Sequence, residues 1–179
     1  MSLQAPRDLR KIQLFVNTWD EEDQREALDS PEALEGFFKE QDLWPGGRSS
    51  NTSDLESAVA VREAIRALLV HNHGDPLDPK AVTQINDASK QALFAIEFQP
   101  GEAKLSAHAD GTVGAIGNLL SIVAAAMNDG TWSRLKICQN DECAVAFYDA
   151  ARNRSAKWCS MAVCGNRVKA RNYRARQQS

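Results

Sequence analysis

The chain has 179 residues, 43% of them hydrophobic, and a formal net charge of −3, which allows one ordinary domain plus a small module and excludes wholesale disorder. The near-neutral total conceals a split. Residues 1–130 carry 11 Lys and Arg against 21 Asp and Glu, whereas residues 131–179 carry 10 against 3, with no acid after Asp149. A division of this kind points the basic half toward an anionic partner.

The N-terminal "MSLQAPRDLRK" has no apolar stretch of signal type. The longest apolar run, "AIGNLLSIVAAAM", is broken by polar residues and reads as too short to span a bilayer. The expectation is a cytoplasmic protein with no membrane partner, whose cysteines are not structural disulfides.

Along the chain, Leu9, Ile12, Phe15, Val16 and Trp19 recur at helical spacing, with Asn17 and Thr18 near the end of that helix. Ser30, Pro31 and Glu32 form a helix start that runs to about Gln41. "LWPGGRSSNTS" reads as a loop. Ser53 with Glu56 fits a capping box for a helix carrying Leu55, Val59, Arg62, Ile65 and Leu69, stopped by Gly74. Asp78-Pro79 opens another helix, with Val82, Ile85 and Ala92 inside. The period then changes. Phe94, Ile96 and Phe98 alternate, Leu105 and Ala107 follow, and Asp110-Gly111 is a tight-turn signal before "TVGAI", which predicts a small β-hairpin insert. "GNLLSIVAAAMNDG" returns to helix and ends at Gly130, where the charge balance turns.

All four cysteines lie in the last 42 residues, as Cys138-x4-Cys143-x15-Cys159-x4-Cys164. Two close pairs about a hairpin-sized stretch suit one tetrahedral Zn²⁺. Four thiolates leave no open coordination position, so the metal is expected to be structural and the cysteines not catalytic. The other reading is a set of buried free cysteines acting as small hydrophobes. "LKIC" and "AVAFYD" read as strands beside the first pair, and Gly165-Asn166 as the cap of a final helix. That helix places Arg167, Arg171 and Arg174 at i, i+4 and i+7, with Lys169 and Arg176 on an adjoining stripe and Tyr173 beside them. Arg152, Arg154 and Lys157 precede it, which makes eight cations with no acid among them. This mixture suits phosphates and base edges, hence nucleic acid. A protein or anionic-lipid contact, or a solvated face balancing the metal–thiolate charge, stays open.

The residues "FYDAARNRSAKWCSMAVCGNRVKARNYRAR" closely resemble the CGNR zinc-finger family, named for the tetrapeptide that stands here at Cys164–Arg167. The resemblance runs from about Arg134 to Arg176 and includes all four cysteines, Trp158 and Met161. "FVNT" at Phe15–Thr18, "LW" at Leu43-Trp44 and "VREAIRALL" are similar to the ABATE domain that precedes this finger in stress-related bacterial transcription regulators. The resemblance implies a DNA-binding finger behind a sensory or ligand-binding domain. The chain departs from the finger family at Ala150, Ala151 and Ala156, where more basic residues are expected.

The expected architecture is mainly α (α+β). A helical domain over residues 1–130 carries the hairpin insert, and residues 131–179 form a treble-clef-like four-cysteine zinc finger with a basic last helix. Asn17, Thr18, Trp19 and Trp44 are candidates for a small-molecule pocket, with a helix cap or buried hydrogen-bond network as the other reading. His71 and His73 read as a solvated helix end, His108 as structural, and "DEEDQRE" as a solvated flank. No Walker loop, G-x-G-x-x-G or G-x-S-x-G is present, so the expectation is a non-enzymatic DNA-binding regulator, a homodimer being compatible. The alternative is a small-molecule-binding or enzymatic α-domain whose finger contacts RNA or protein.

Overall fold

A computed structural model describes residues 4–177. The elements run α1 Leu9–Val16, β1 Trp19–Asp20, β2 Arg25–Glu26, α2 Pro31–Glu40, α3 Thr52–His71, α4 Pro79–Gln91, β3 Phe94–Gln99, β4 Glu102–Ala107, α5 Gly111–Asn128, β5 Leu135–Ile137, β6 Ala146–Tyr148 and α6 Asn166–Gln177. Three separate two-stranded antiparallel hairpins, β1–β2, β3–β4 and β5–β6, decorate a helical body. The fold is mainly α with a four-cysteine finger at its end.

The helices start where local chemistry favours it. Ser30 Oγ accepts from Ala33 N at 3.2 Å, with Pro31 in the first turn of α2. The capping box of α3 is formed by Asn51 and Asp54, two residues before the expected Ser53–Glu56 pair. Arg48 makes a two-pronged ion pair with the same Asp54 (2.6 and 3.0 Å), which holds the Asp54 side chain at the start of α3. Asp54 is held below its usual range by Arg48, against the opposing effect of burial.

Two boundaries differ from expectation. Helix α1 ends at Val16, and Trp19 lies in β1, because the chain turns at Asn17 and Thr18 to form the β1–β2 hairpin that contains "DEEDQRE". The β3–β4 turn falls at Pro100-Gly101, with Gly101 at φ +86°, and not at Asp110-Gly111. Asp110 and Gly111 instead open α5, which absorbs "TVGAI". With that extra length α5 has 18 residues and is long and apolar enough to cross a bilayer, but Ala115, Leu119, Leu120, Val123 and Ala126 are buried in the core. Gly114 and Gly117 let the hairpin approach. A Cβ at Gly114 would stand 1.9 Å from the Ala109 carbonyl oxygen, and one at Gly117 2.6 Å from the Ala92 and Ala107 methyls.

The core passes without a break from α1, α2, α3 and α5 into the finger. Phe15, Phe38, Ile65, Leu69 and Leu119 share one buried cluster with Trp132, Leu135, Ile137 and Ala146. Polar bonds tie the same seam. Asn17 Nδ2 donates to Ala146 O (3.0 Å), while Asn17 Oδ1 accepts from Ala146 N (2.7 Å). Gln13 Nε2 also donates to Ala146 O, and Arg66 donates to the Ala144 and Val16 carbonyls. Asn72 donates to Trp132 O and Leu135 O, and His73 Nε2 lies 2.6 Å from Ile137 O. His73 is therefore a half-buried seam residue and not part of a solvated helix end, while His71 caps locally onto Asp75 O.

Candidate metal centre and nucleic-acid interface

The first cysteine pair sits in the turn of the β5–β6 hairpin. Cys138 N donates to Val145 O, and the Asn140 carbonyl accepts from both Cys143 N and Ala144 N, which curls residues 138–143 into a knuckle. Gln139 N donates to Lys157 O, and this brings Cys159 back against the knuckle. Ser160 Oγ then accepts from Val163 N, and Gly165 N reaches Ser160 O across a widened helical turn, Met161–Gly165, that flows into α6. Ser160, not Gly165-Asn166, is thus the capping residue. Asn166 bonds back to Ala162 O. Gly165 is needed for contact: a Cβ there would meet Met161 Sδ at 2.6 Å and the Trp158 ring at 3.2 Å.

These turns place the four sulfurs within 4.8 Å of one another. Cys143 and Cys159 are 3.8 Å apart, and Cys159 and Cys164 3.6 Å. A tetrahedron with Zn–S bonds of about 2.3 Å has edges of roughly 3.8 Å, so the donor set fits zinc in both chemistry and size. Cys138 and Cys164 are buried, and Cys159 N and Asn140 Nδ2 point N–H groups at their sulfurs (3.5 and 3.9 Å). Hydrogen bonds from Cys143 and Cys159 lower Cys138, while Cys138 and Cys143 push Cys159 up. Four thiolates at this spacing repel each other too strongly to ionise together without a cation, which supplies the reason for the metal. The centre holds one structural zinc, which locks the knuckle to the root of α6.

A buried ion pair shapes the loop that leads back to the second cysteine pair. Lys136 Nζ donates to Asp149 Oδ2 at 2.9 Å, both side chains at or below 5% exposure. Asp149 also accepts from Ala151 N and Ala156 N, and Lys136 donates to Arg154 O. Burial opposes ionisation of Asp149, but Lys136 and the two backbone N–H groups outweigh it and hold the carboxyl below its usual range. Arg134 fastens the loop further at Asp149 O and Ala151 O. Arg152, Arg154 and Lys157 stand exposed on this ordered loop.

Helix α6 buries no residue. Lys169, Arg174 and Arg176 are exposed and make no ion pair among the described residues. The other two predicted cations are engaged. Arg167 meets Glu22 at 2.8 Å, and Arg171 meets Glu142 at 3.3 Å and Asp141 at 3.9 Å.

The candidate ligand residues do not converge. Asn17 is spent on Ala146. Thr18 is buried, donating to Phe15 O and accepting from Arg62. Trp19 donates to Glu21. A cleft of about 180 Å³ includes Asn17 and Trp19 with Asp20, Glu22, Cys143 and Val145. Trp44 is elsewhere, under Lys39 and near Gly111. The buried-network reading of Asn17 and Thr18 therefore describes what they do. Lys136, Asp149 and Asn140 escaped sequence reasoning. A lysine between Leu135 and Ile137 in a short strand was the one visible signal.

Residues 134–177 match the family model described as "CGNR zinc finger", and residues 12–129 match ABATE, described as "Putative stress-induced transcription regulator". No curated protein matches the chain.

Proposed function

The chain belongs to the ABATE family and carries a CGNR zinc finger behind that segment, and from this premise we propose that it is a transcription regulator that binds duplex DNA through the finger. The observation that carries the reading is the pairing of an ordered cationic loop with a cationic helix that buries no residue, on one metal-locked frame. Arg152, Arg154 and Lys157 supply phosphate contacts from the loop. Lys169, Arg174 and Arg176 supply them from α6, with exposed Tyr173 beside them for stacking. The acidic helical segment has a sensory part in this reading: a small-molecule ligand bound there alters how the finger is presented. The core seam through Asn17, Arg66 and Asn72 is the physical route for that influence. The protein acts in the cytoplasm on the nucleoid, without enzymatic chemistry, and a homodimer would set the spacing of paired half-sites.

The test is duplex binding across a salt series. Phosphate contact predicts log affinity falling with log salt by about 0.9 per phosphate neutralised. The double change Lys169→Glu and Arg174→Glu is expected to cut both affinity and slope while leaving zinc content and thermal unfolding intact. Absent or salt-independent binding by the zinc-loaded wild type would overturn the reading.

A further inference from the structure

Arg167, Arg171 and Arg174 lie on one face of α6, at i, i+4 and i+7. Two of the three already face carboxylates of the same chain. Arg167 Nη1 is 2.8 Å from Glu22 Oε1, and Arg171 stands over the Asp141–Glu142 pair of the knuckle. Glu22 is not a nearby acid that happens to touch. It is 145 residues away in sequence and belongs to the tip of the β1–β2 hairpin.

That tip has a defined shape. Asp20 Oδ1 accepts from Glu22 N and Asp23 N (3.0 and 3.1 Å), Trp19 Nε1 holds Glu21, and Gln24 folds back onto Glu21 O. The hairpin is anchored to α3 by Arg62, which donates to both Glu26 and Thr18. The result is an open cleft of about 500 Å³ lined by Glu21, Glu22, Gln24, Asp141, Glu142 and Arg167. Four carboxylates therefore surround the root of the cationic helix, and the Glu22 contact holds Arg167 more firmly protonated than usual.

We infer that the acidic tip of the β1–β2 hairpin, with Asp141 and Glu142, occupies the phosphate-contact row of α6, so that the chain's own carboxylates and duplex DNA compete for Arg167 and Arg171. The inference rests on the DNA-binding reading above. Both ion pairs are about half exposed, and exposed pairs are weak, which is what a contact displaced by a phosphate requires. Arg152, Arg154, Lys157, Lys169, Arg174 and Arg176, which make no ion pair among the described residues, make the first contact. Arg167 and Arg171 join when the hairpin tip gives way. Any event in the helical body that shifts this hairpin alters the affinity of the finger.

The experiment measures equilibrium binding of a duplex to the full zinc-loaded chain and four variants: Glu22→Gln, Asp23→Asn, Arg167→Gln, and Glu22→Gln with Arg167→Gln. Asp23 lies in the same loop and removes the same charge, but makes no ion pair with α6. The expected result is that Glu22→Gln binds about two- to fivefold tighter, as release of an exposed ion pair allows. Asp23→Asn gains less, and the gain from Glu22→Gln disappears in the Arg167→Gln background. Equal gains for Glu22→Gln and Asp23→Asn, or no gain from Glu22→Gln while the wild type binds, would overturn the competition. Loss of duplex binding in every protein, the wild type included, would overturn the DNA reading along with it. Unchanged thermal unfolding of the variants establishes that affinity alone is being read.

Discussion

At the scale of single residues, the side chains that matter most are those whose charge is buried and matched. Asp149 is fully buried against Lys136 and three further donors or acceptors organise around the pair. Removing the carboxylate leaves an unmatched ammonium in the core. Asp149→Asn is therefore expected to cost about 3–5 kcal/mol at neutral pH. The direction with pH follows from the lowered Asp149 value. A carboxyl depressed in the folded state contributes stability above its unfolded value of about 4, and that contribution fades as pH falls through the folded value. The stability gap between wild type and Asp149→Asn should consequently narrow below about pH 4. Chemical denaturation of the two proteins from pH 7 to pH 3 measures it, and a gap that widens with acid would contradict the assignment. Arg62 obeys the same rule in the helical body: burial opposes its charge, and Glu26 with Glu63 more than compensate.

At the scale of elements, two predictions follow from what each element buries. Gly114→Ala and Gly117→Ala each force a methyl into space already held by the β3–β4 side of α5. Overpacking of this kind costs about 1–3 kcal/mol, and more is expected at Gly114, where the obstacle is backbone. Thermal unfolding should show both losses. Helix α6 is the opposite case. It buries nothing, and a 12-residue helix has little stability of its own. Truncating the chain after Val168 should leave zinc content and thermal unfolding near wild type while strongly weakening duplex affinity, because only the loop cations and Arg167 remain. A large fall in unfolding temperature would mean that α6 has a structural role. These elements also separate what was legible in the sequence from what was not. Helices α2, α3 and α4 were readable from apolar spacing and from Ser30, Pro31, Asp78 and Pro79, because caps act within four residues. The cysteine centre was readable for the same reason: its ligands come as two local pairs. The β3–β4 turn was not, since Pro100-Gly101 and Asp110-Gly111 are both turn signals, and packing on α5 chooses between them. Nor was the role of Asn17, whose partner Ala146 lies 129 residues downstream.

At the scale of the whole molecule, the charge split does not correspond to two independent bodies. Trp132, Leu135, Ile137 and Ala146 belong to the same buried cluster as Phe15 and Ile65, and the seam bonds of Asn17, Gln13, Arg66 and Asn72 cross it. Structural zinc typically contributes on the order of 10 kcal/mol to the unit that holds it. With a shared core, chelation should lower the unfolding temperature of the entire chain in one transition, not melt the finger alone. Calorimetry with and without chelator distinguishes the two, and an unchanged main transition would contradict a shared core. The cationic surface then depends on zinc through its frame, because the knuckle, the ordered loop and the root of α6 all meet at the four sulfurs.

The most direct measurement of this account is duplex affinity of the zinc-loaded chain, the chelator-stripped chain and the stripped chain with zinc restored, each at low and high salt. One zinc per chain, salt-weakened binding, loss on stripping and recovery on restoration are predicted. Equal affinity with and without zinc, or no duplex binding by the zinc-loaded chain even at low salt, would contradict it.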